Sequence, residues 1–270
     1  MKSWQKYTAE VIGTFILVFV GSLAILNAGE GLAIAFGFGI ALLGGLYAFG
    51  EVSGGHFNPI VSLALFLDRR LSAADTLWYW IAQFVGAILA SLLIWLVYTS
   101  RQAVKNTATH PLHGNWKAWA LELVCSALFV VVILQVTKSD RYGPSALIAI
   151  PLTLFVIHIA ILAVSGASVN PARTLGPDLV GATQWSSIWI YFTAPPLGAI
   201  VGWILHMVTV RGDTSIGGDL RRAATDMRGV EMGSLRDAEP DAPREGPGQV
   251  PPPPSPSEPD RPPSTGPGDV

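Results

Sequence analysis

The octapeptide GGHFNPIV at residues 54–61 interrupts a chain of long apolar runs, and a second version of it, GASVNPAR, returns at 166–173. In each, small residues precede an Asn-Pro pair. Asn is a good helix N-cap, and Pro is favoured in the first turn because the N–H it lacks would be unpaired there anyway. Asn58-Pro59 and Asn170-Pro171 therefore read as helix starts. The apolar residues after Asn58 run only to Asp68. That is far short of the ~20 residues a spanning helix needs. The expected element is a half-helix that reaches mid-membrane, entered by a loop that dips into the bilayer.

The rest of the chain supplies the membrane context. Of 270 residues, 50% are hydrophobic and 13% charged, with a mean hydropathy of +0.45. Soluble domains carry about 25% charged residues. No Lys, Arg, Asp or Glu occurs in 11–29, 31–50, 76–100, 142–172 or 179–210, and in 118–137 the one exception is Glu122. Six spans follow, at about 8–28, 31–50, 76–99, 118–137, 145–165 and 185–208. An even number puts both termini on one side. That side holds Lys2, Lys6, Arg69, Arg70, Lys138 and Arg141, against Arg101, Lys105 and Lys117 opposite, which predicts cytoplasmic termini. Lys2 and Lys6 precede the first span but no small-residue cleavage pattern follows it cleanly, so that span reads as retained.

Laid against itself at an offset of 112, the chain repeats. Glu10 falls on Glu122, Ser53-Gly54 on Ser165-Gly166, Asn58-Pro59 on Asn170-Pro171, and Ala82, Gly86 and Ala87 on Ala194, Gly198 and Ala199. One constant offset through four segments marks a duplicated unit. Each unit has three spans, so the second enters the membrane from the opposite face. This is an inverted repeat, with its functional site expected near the midplane between the halves.

Irregular backbone at that depth is tolerated only where protein buries it or a wet cavity satisfies it. Gly54, Gly55, His56 and Phe57 in the first loop, and Gly166, Ala167, Ser168 and Val169 in the second, read as two ladders of carbonyl acceptors. Two half-helices meeting N-terminus to N-terminus each bring ~+0.5 charge to the centre, a field that repels cations. The amides of Asn58 and Asn170 offer donors to a passing oxygen. A neutral solute that accepts there and donates to the ladder can cross, whereas an ion is rejected.

At these residues the chain resembles the aquaporin (major intrinsic protein) family over roughly 5–208. The likeness is carried by AEVIGTF in the first span, SGGHFNP in the first loop, AQFVGA in the third span and SGASVNPAR in the second loop. The resemblance implies an all-α membrane protein of six tilted helices and two re-entrant half-helices, with one pore per protomer, usually assembled as homotetramers. It also implies two pore motifs, Asn58-Pro59-Ile60 and Asn170-Pro171-Ala172, and a four-residue selectivity filter near the outer mouth. By distance from the motifs the filter residues are Phe38, His158, Ala167 and Arg173. Phe, His and Arg there, with Tyr191-Phe192 in the last span, look like the water-selective branch. Glycerol facilitators usually have Gly where His158 stands. An Arg in such a filter raises a barrier to protons and cations. The resemblance also makes Glu10 and Glu122 acceptors for the loop backbone, with Gln83 in support. The sequence departs from the family at Ile60, which replaces the usual Ala. Its bulk is expected to alter the packing where the half-helices abut, displacing the asparagines or narrowing the centre. Ala167 is expected to widen the filter slightly, and Asp178, placed beyond the second half-helix, stands where water channels have a small residue.

The reading is a passive water channel driven by osmotic gradients, in the cell membrane. Alternatives are a facilitator that also passes glycerol, urea, ammonia or hydrogen peroxide, a proton-coupled transporter using Glu10 or Glu122, and a junction protein, which would not need Phe38, His158 and Arg173. No nucleophile–base set, metal cluster or phosphate loop points to an enzyme or a cofactor. His56 with Glu51 is too sparse for a metal, and His110 and His113 have no further ligand. No basic patch points to nucleic acid. Cys125 reads as core packing. The channel is assigned to 1–210, with repeats at about 7–100 and 118–208. Residues 211–270 hold 12 of the 20 prolines and read as a disordered Pro-rich cytoplasmic tail of unknown partner.

Overall fold

Apolar stretches of spanning length become six long helices in the computed structural model, which describes residues 2–138 and 145–209. They are α1 (Ser3–Ala28), α2 (Gly31–Ser53), α4 (Ala73–Tyr98), α6 (Asn115–Val136), α7 (Ala146–Ser165) and α9 (Ile188–Thr209). Between them lie two short helices that begin at the Asn-Pro pairs, α3 (Pro59–Leu67) and α8 (Pro171–Gly181), and a helix in the loop after α4, α5 (Arg101–Asn106), which the sequence did not announce. The tail reading falls on residues outside those described.

Local chemistry sets the breaks. Asn58 Oδ1 accepts from Ile60 N at 3.0 Å, and Asn170 Oδ1 from Ala172 N at 2.9 Å, so each asparagine caps its half-helix. The spans before them end at Gly54 (φ 90°) and Gly166 (φ 75°), in the left-handed region that glycine enters without a Cβ penalty. Asp178 sits inside α8, not beyond it. The half-helix continues through Pro177 to Gly181 and ends at Ala182, in the left-handed region at φ 51°.

The repeat is visible in the packing. In the first unit α1 packs on α2 and α4; in the second α6 packs on α7 and α9. The units meet along α2 and α7, and each half-helix lies against the last span of the other unit, α3 on α9 and α8 on α4. Small residues let the spans close. A side chain at Gly86 would run into the Val11 carbonyl, and one at the equivalent Gly198 into the Leu123 carbonyl. Leu96, Val97 and Val208 are 74%, 62% and 72% exposed, on an outer surface too apolar for water but suited to lipid.

Candidate functional site

Two buried carboxylates hold the two irregular loops in shape. Glu10 Oε1 accepts from Ser53 Oγ (2.6 Å) and His56 N (2.9 Å); Oε2 accepts from Phe57 N and Gln83 Nε2, both at 2.7 Å. Glu122 repeats the pattern, with Ser165 Oγ and Ser168 N on Oε1, both at 2.8 Å, and Val169 N on Oε2 at 2.7 Å. Charge-assisted bonds of this kind are about twice as strong as neutral ones. A second pair of braces was not read from the sequence. Tyr79 OH donates to the Ser53 carbonyl and Tyr191 OH to the Ser165 carbonyl, each at 2.6 Å. The signal was present, since 79 and 191 also differ by 112. The hydroxyls of Ser53 and Ser165 in turn accept from Gly55 N and Ala167 N, each at 3.1 Å.

So braced, the loops meet at the centre crosswise. Asn58 Nδ2 donates to the Val169 carbonyl at 2.8 Å, and Asn170 Nδ2 to the Phe57 carbonyl at 2.9 Å. Each amide thereby spends one N–H on the opposite repeat and keeps a second. Both asparagines line a cavity of about 220 Å³. At about 30 Å³ per water in the liquid, that holds several molecules.

Ile60 does not disturb this seam. Its side chain is fully buried, in the apolar cluster that contains Val130 and Ala199. These are the repeat mates of Val18 and Ala87, which cluster with Ala172 in the other half. The Ile60 side chain is not among those lining the cavity, and the crosswise asparagine bonds differ by only 0.1 Å. The expected displacement is therefore corrected. Ile60→Ala is expected to lower stability by about 2–5 kcal/mol, the usual cost of a large-to-small core change. Thermal unfolding of the purified protein in detergent measures it; an unchanged midpoint would mean the site collapses without loss.

The residues read as carbonyl ladders do not all serve alike. Gly54, Gly55, His56 and Ser168 line the cavity. Phe57 and Val169 turn their carbonyls to the asparagine amides, and Gly166 packs beside Thr109 and His110. His56 Nδ1 is hydrogen-bonded to Ser62 Oγ at 3.0 Å, as its mate Ser168 is to Thr174 at 2.6 Å.

Three of the four residues read as a filter come together at the far end of the cavity. The Phe38 and His158 rings stack with centroids 4.5 Å apart, and the Arg173 guanidinium lies 5.0 Å from the Phe38 centroid. Arg173 Nη1 donates to the Thr107 carbonyl at 2.9 Å, from the loop after α5. His158 Nδ1 donates to the Leu154 carbonyl at 2.9 Å, which leaves Nε2 as the ring's available polar atom. Ala167 is fully buried, at φ 46°, and is not among the lining residues. Apolar side chains line much of the rest, including Leu17, Leu42, Phe129, Ile133, Ile150 and Leu154. At the other end is Thr137, whose carbonyl and hydroxyl accept from Arg70 Nη1 at 2.9 and 3.0 Å. Cys125 is a buried free thiol.

A family model described as "Major intrinsic protein" matches residues 1–206. The chain is 41% identical over 204 residues to "Glycerol uptake facilitator protein-like 6" of Lactiplantibacillus plantarum, covering 73% of this chain and 94% of that protein. It is 37% identical over 218 residues to "Aquaporin Z" of Brucella melitensis, covering 74% and 96%. The solved aquaglyceroporin from Plasmodium falciparum superposes with a TM-score of 0.71, over 77% of this chain and 97% of that one. At 22% identity the last likeness establishes the fold alone.

Proposed function

The chain belongs to the major intrinsic protein family of multi-pass membrane channels, which are not enzymes, and within it we propose a passive water channel that excludes protons and ions. The observation that carries the reading is the joint placement of Phe38, His158 and Arg173 at one end of the cavity. Two rings narrow the passage. The guanidinium adds fixed donors and a permanent positive charge, since Arg does not deprotonate in proteins. A cation meets that charge at the constriction and the positive ends of α3 and α8 at the centre. A water meets replaceable hydrogen bonds at both places. At the centre the two remaining amide N–H groups bind its oxygen, so both its hydrogens point outward along the file and a proton relay through it is broken.

The termini are placed in the cytoplasm, as the Lys and Arg distribution supports, with residues 1–210 as the channel and 211–270 as a Pro-rich tail. The assembly is a homotetramer in the cell membrane, one pore per protomer.

A second reading is a facilitator that also passes glycerol or similar neutral solutes. It is favoured by the 41% identity to a protein named as a glycerol uptake facilitator, and by an apolar cavity wall that suits a carbon backbone. Light scattering of proteoliposomes after an osmotic jump separates the two. The water-channel reading expects shrinkage faster than empty vesicles by roughly tenfold, a barrier difference of about 1.4 kcal/mol. It expects no matching acceleration in an inward glycerol gradient. Shrinkage no faster than that of empty vesicles would sink it; rapid glycerol entry would establish the facilitator.

A further inference from the structure

Thr109 lies in the loop between α5 and α6, outside both repeats, and is fully buried. Its hydroxyl sits 2.9 Å from that of Thr174, the residue after Arg173 on α8. Thr174 Oγ1 is in turn 2.6 Å from Ser168 Oγ, and Ser168 Oγ donates to the Asn170 carbonyl at 2.8 Å. A hydroxyl has one hydrogen to give. With that of Ser168 spent on the carbonyl, Thr174 donates to Ser168 and Thr109 donates to Thr174. Three hydroxyls thus form one directed chain from the loop to the central asparagine, and in such a chain each bond strengthens the next.

The broken symmetry of the repeat explains why a loop residue is needed there. In the first unit the equivalent hydroxyl is that of Ser62, which is 3.0 Å from His56 Nδ1 and accepts from Gln83 Nε2 at 3.0 Å. In the second unit the offset of 112 places Pro195 where Gln83 stands, and a proline side chain has no donor. Thr109 supplies that donor from outside the repeat. The same loop is fastened nearby. The Thr107 carbonyl accepts from Arg173 Nη1 at 2.9 Å, and Leu112 N donates to the Val164 carbonyl at 2.9 Å. A side chain at Gly166 would come within 3.3 Å of Thr109 Cα. Ser168, Asn170 and Arg173 line the cavity, whereas Thr107, Thr109 and Thr174 do not. The loop therefore grips two consecutive residues of α8, Arg173 and Thr174, from behind the pore wall.

We propose that Thr109 is a positioning residue for the constriction at Arg173. Its bond to Thr174 seats the loop on α8, which fixes the Thr107 carbonyl two residues away and, through that carbonyl, the guanidinium. The inference rests on the reading of Arg173 as a barrier. A guanidinium held by a fixed carbonyl keeps the passage narrow. One whose anchor moves swings aside and admits a wider solute. Thr109 touches no permeant and acts through Arg173.

The test compares Thr109→Val, which keeps the shape and removes the hydroxyl, with Thr109→Ser, which keeps the hydroxyl. Glycerol and water permeabilities are measured in proteoliposomes, and thermal midpoints in detergent. Thr109→Val is expected to raise the glycerol-to-water permeability ratio by roughly threefold or more, a change within the reach of one hydrogen bond. Thr109→Ser is expected to keep the wild-type ratio. In an Arg173→Ala background, which itself raises the ratio, Thr109→Val is expected to change it no further. A lower thermal midpoint with an unchanged ratio would reduce Thr109 to a structural role and overturn the inference. Equal ratios in the Val and Ser variants, or an equal rise from Thr109→Val in both backgrounds, would overturn it too. The filter reading survives each of these results as long as Arg173→Ala raises the ratio. If Arg173→Ala leaves the ratio unchanged, the filter reading itself falls and this inference with it. Should Thr109→Val not fold, Thr109→Ala, which brings no new bulk, takes its place with the same expected rise and the same overturning results.

Discussion

Replacing His158 by Gly and Phe38 by Ala together raises glycerol permeability by roughly tenfold or more over wild type, which requires lowering the barrier by only about 1.4 kcal/mol. The two rings stack at 4.5 Å and both line the cavity, so in the proposed filter the pair of substitutions removes a continuous wall. The carbon backbone of glycerol then fits beside Arg173, whose Nη1 remains anchored on the Thr107 carbonyl. Water permeability persists, because the central asparagines and the loop braces are untouched. Stopped-flow scattering in a glycerol gradient measures the change. Continued exclusion of glycerol by the double variant would count against the rings as the size barrier. High glycerol permeability in the wild type would show that the barrier was never there.

Glu10→Gln has the other large expected effect, a loss of stability on the order of 3–5 kcal/mol, as when one partner of a buried charged network is removed. Four donors converge on the two carboxylate oxygens: Ser53 Oγ, His56 N, Phe57 N and Gln83 Nε2. In either orientation a glutamine turns an NH2 group towards two of them. Each stranded donor costs about 1–3 kcal/mol. The loop carrying Gly54 to Asn58 then loses its shape, so folded yield, thermal midpoint and water permeability fall together. This outcome also separates the channel from a proton-coupled transporter. A carboxylate whose oxygens all accept bonds has no site left for a travelling proton. A transporter that used Glu10 would give the opposite result: a variant that folds normally, with a proton current present in wild type and abolished in the variant.

Much of the fold was legible because its signals are local or strictly periodic. Spanning length is a count of uncharged residues, and a constant offset of 112 needs no structure to be seen. Asn-Pro announces a helix start through the chemistry of two adjacent residues. Glu10 and Glu122 were readable as loop acceptors from the resemblance, and the same offset, applied to tyrosine, would also have found Tyr79 and Tyr191. Ile60 was misjudged because its effect depends on which neighbours the side chain packs against, and Asp178 because the end of a half-helix depends on packing; a sequence pattern carries neither.

By itself, then, the sequence determined six spans, an inverted repeat, two half-helix starts and the family. Only the tertiary structure decided how the halves close on one another. The asparagine amides reach carbonyls 111 and 113 residues away, and the carboxylates reach loop amides 46 and 47 residues away. The packing of α3 on α9 and α8 on α4 leaves Ile60 and Asp178 fully buried. Local pattern fixes which segments are helical and which residue caps them, because those energies arise within a few residues. The partner of a buried polar group is fixed by the approach of segments far apart in the chain, and that approach exists only once the helices have packed.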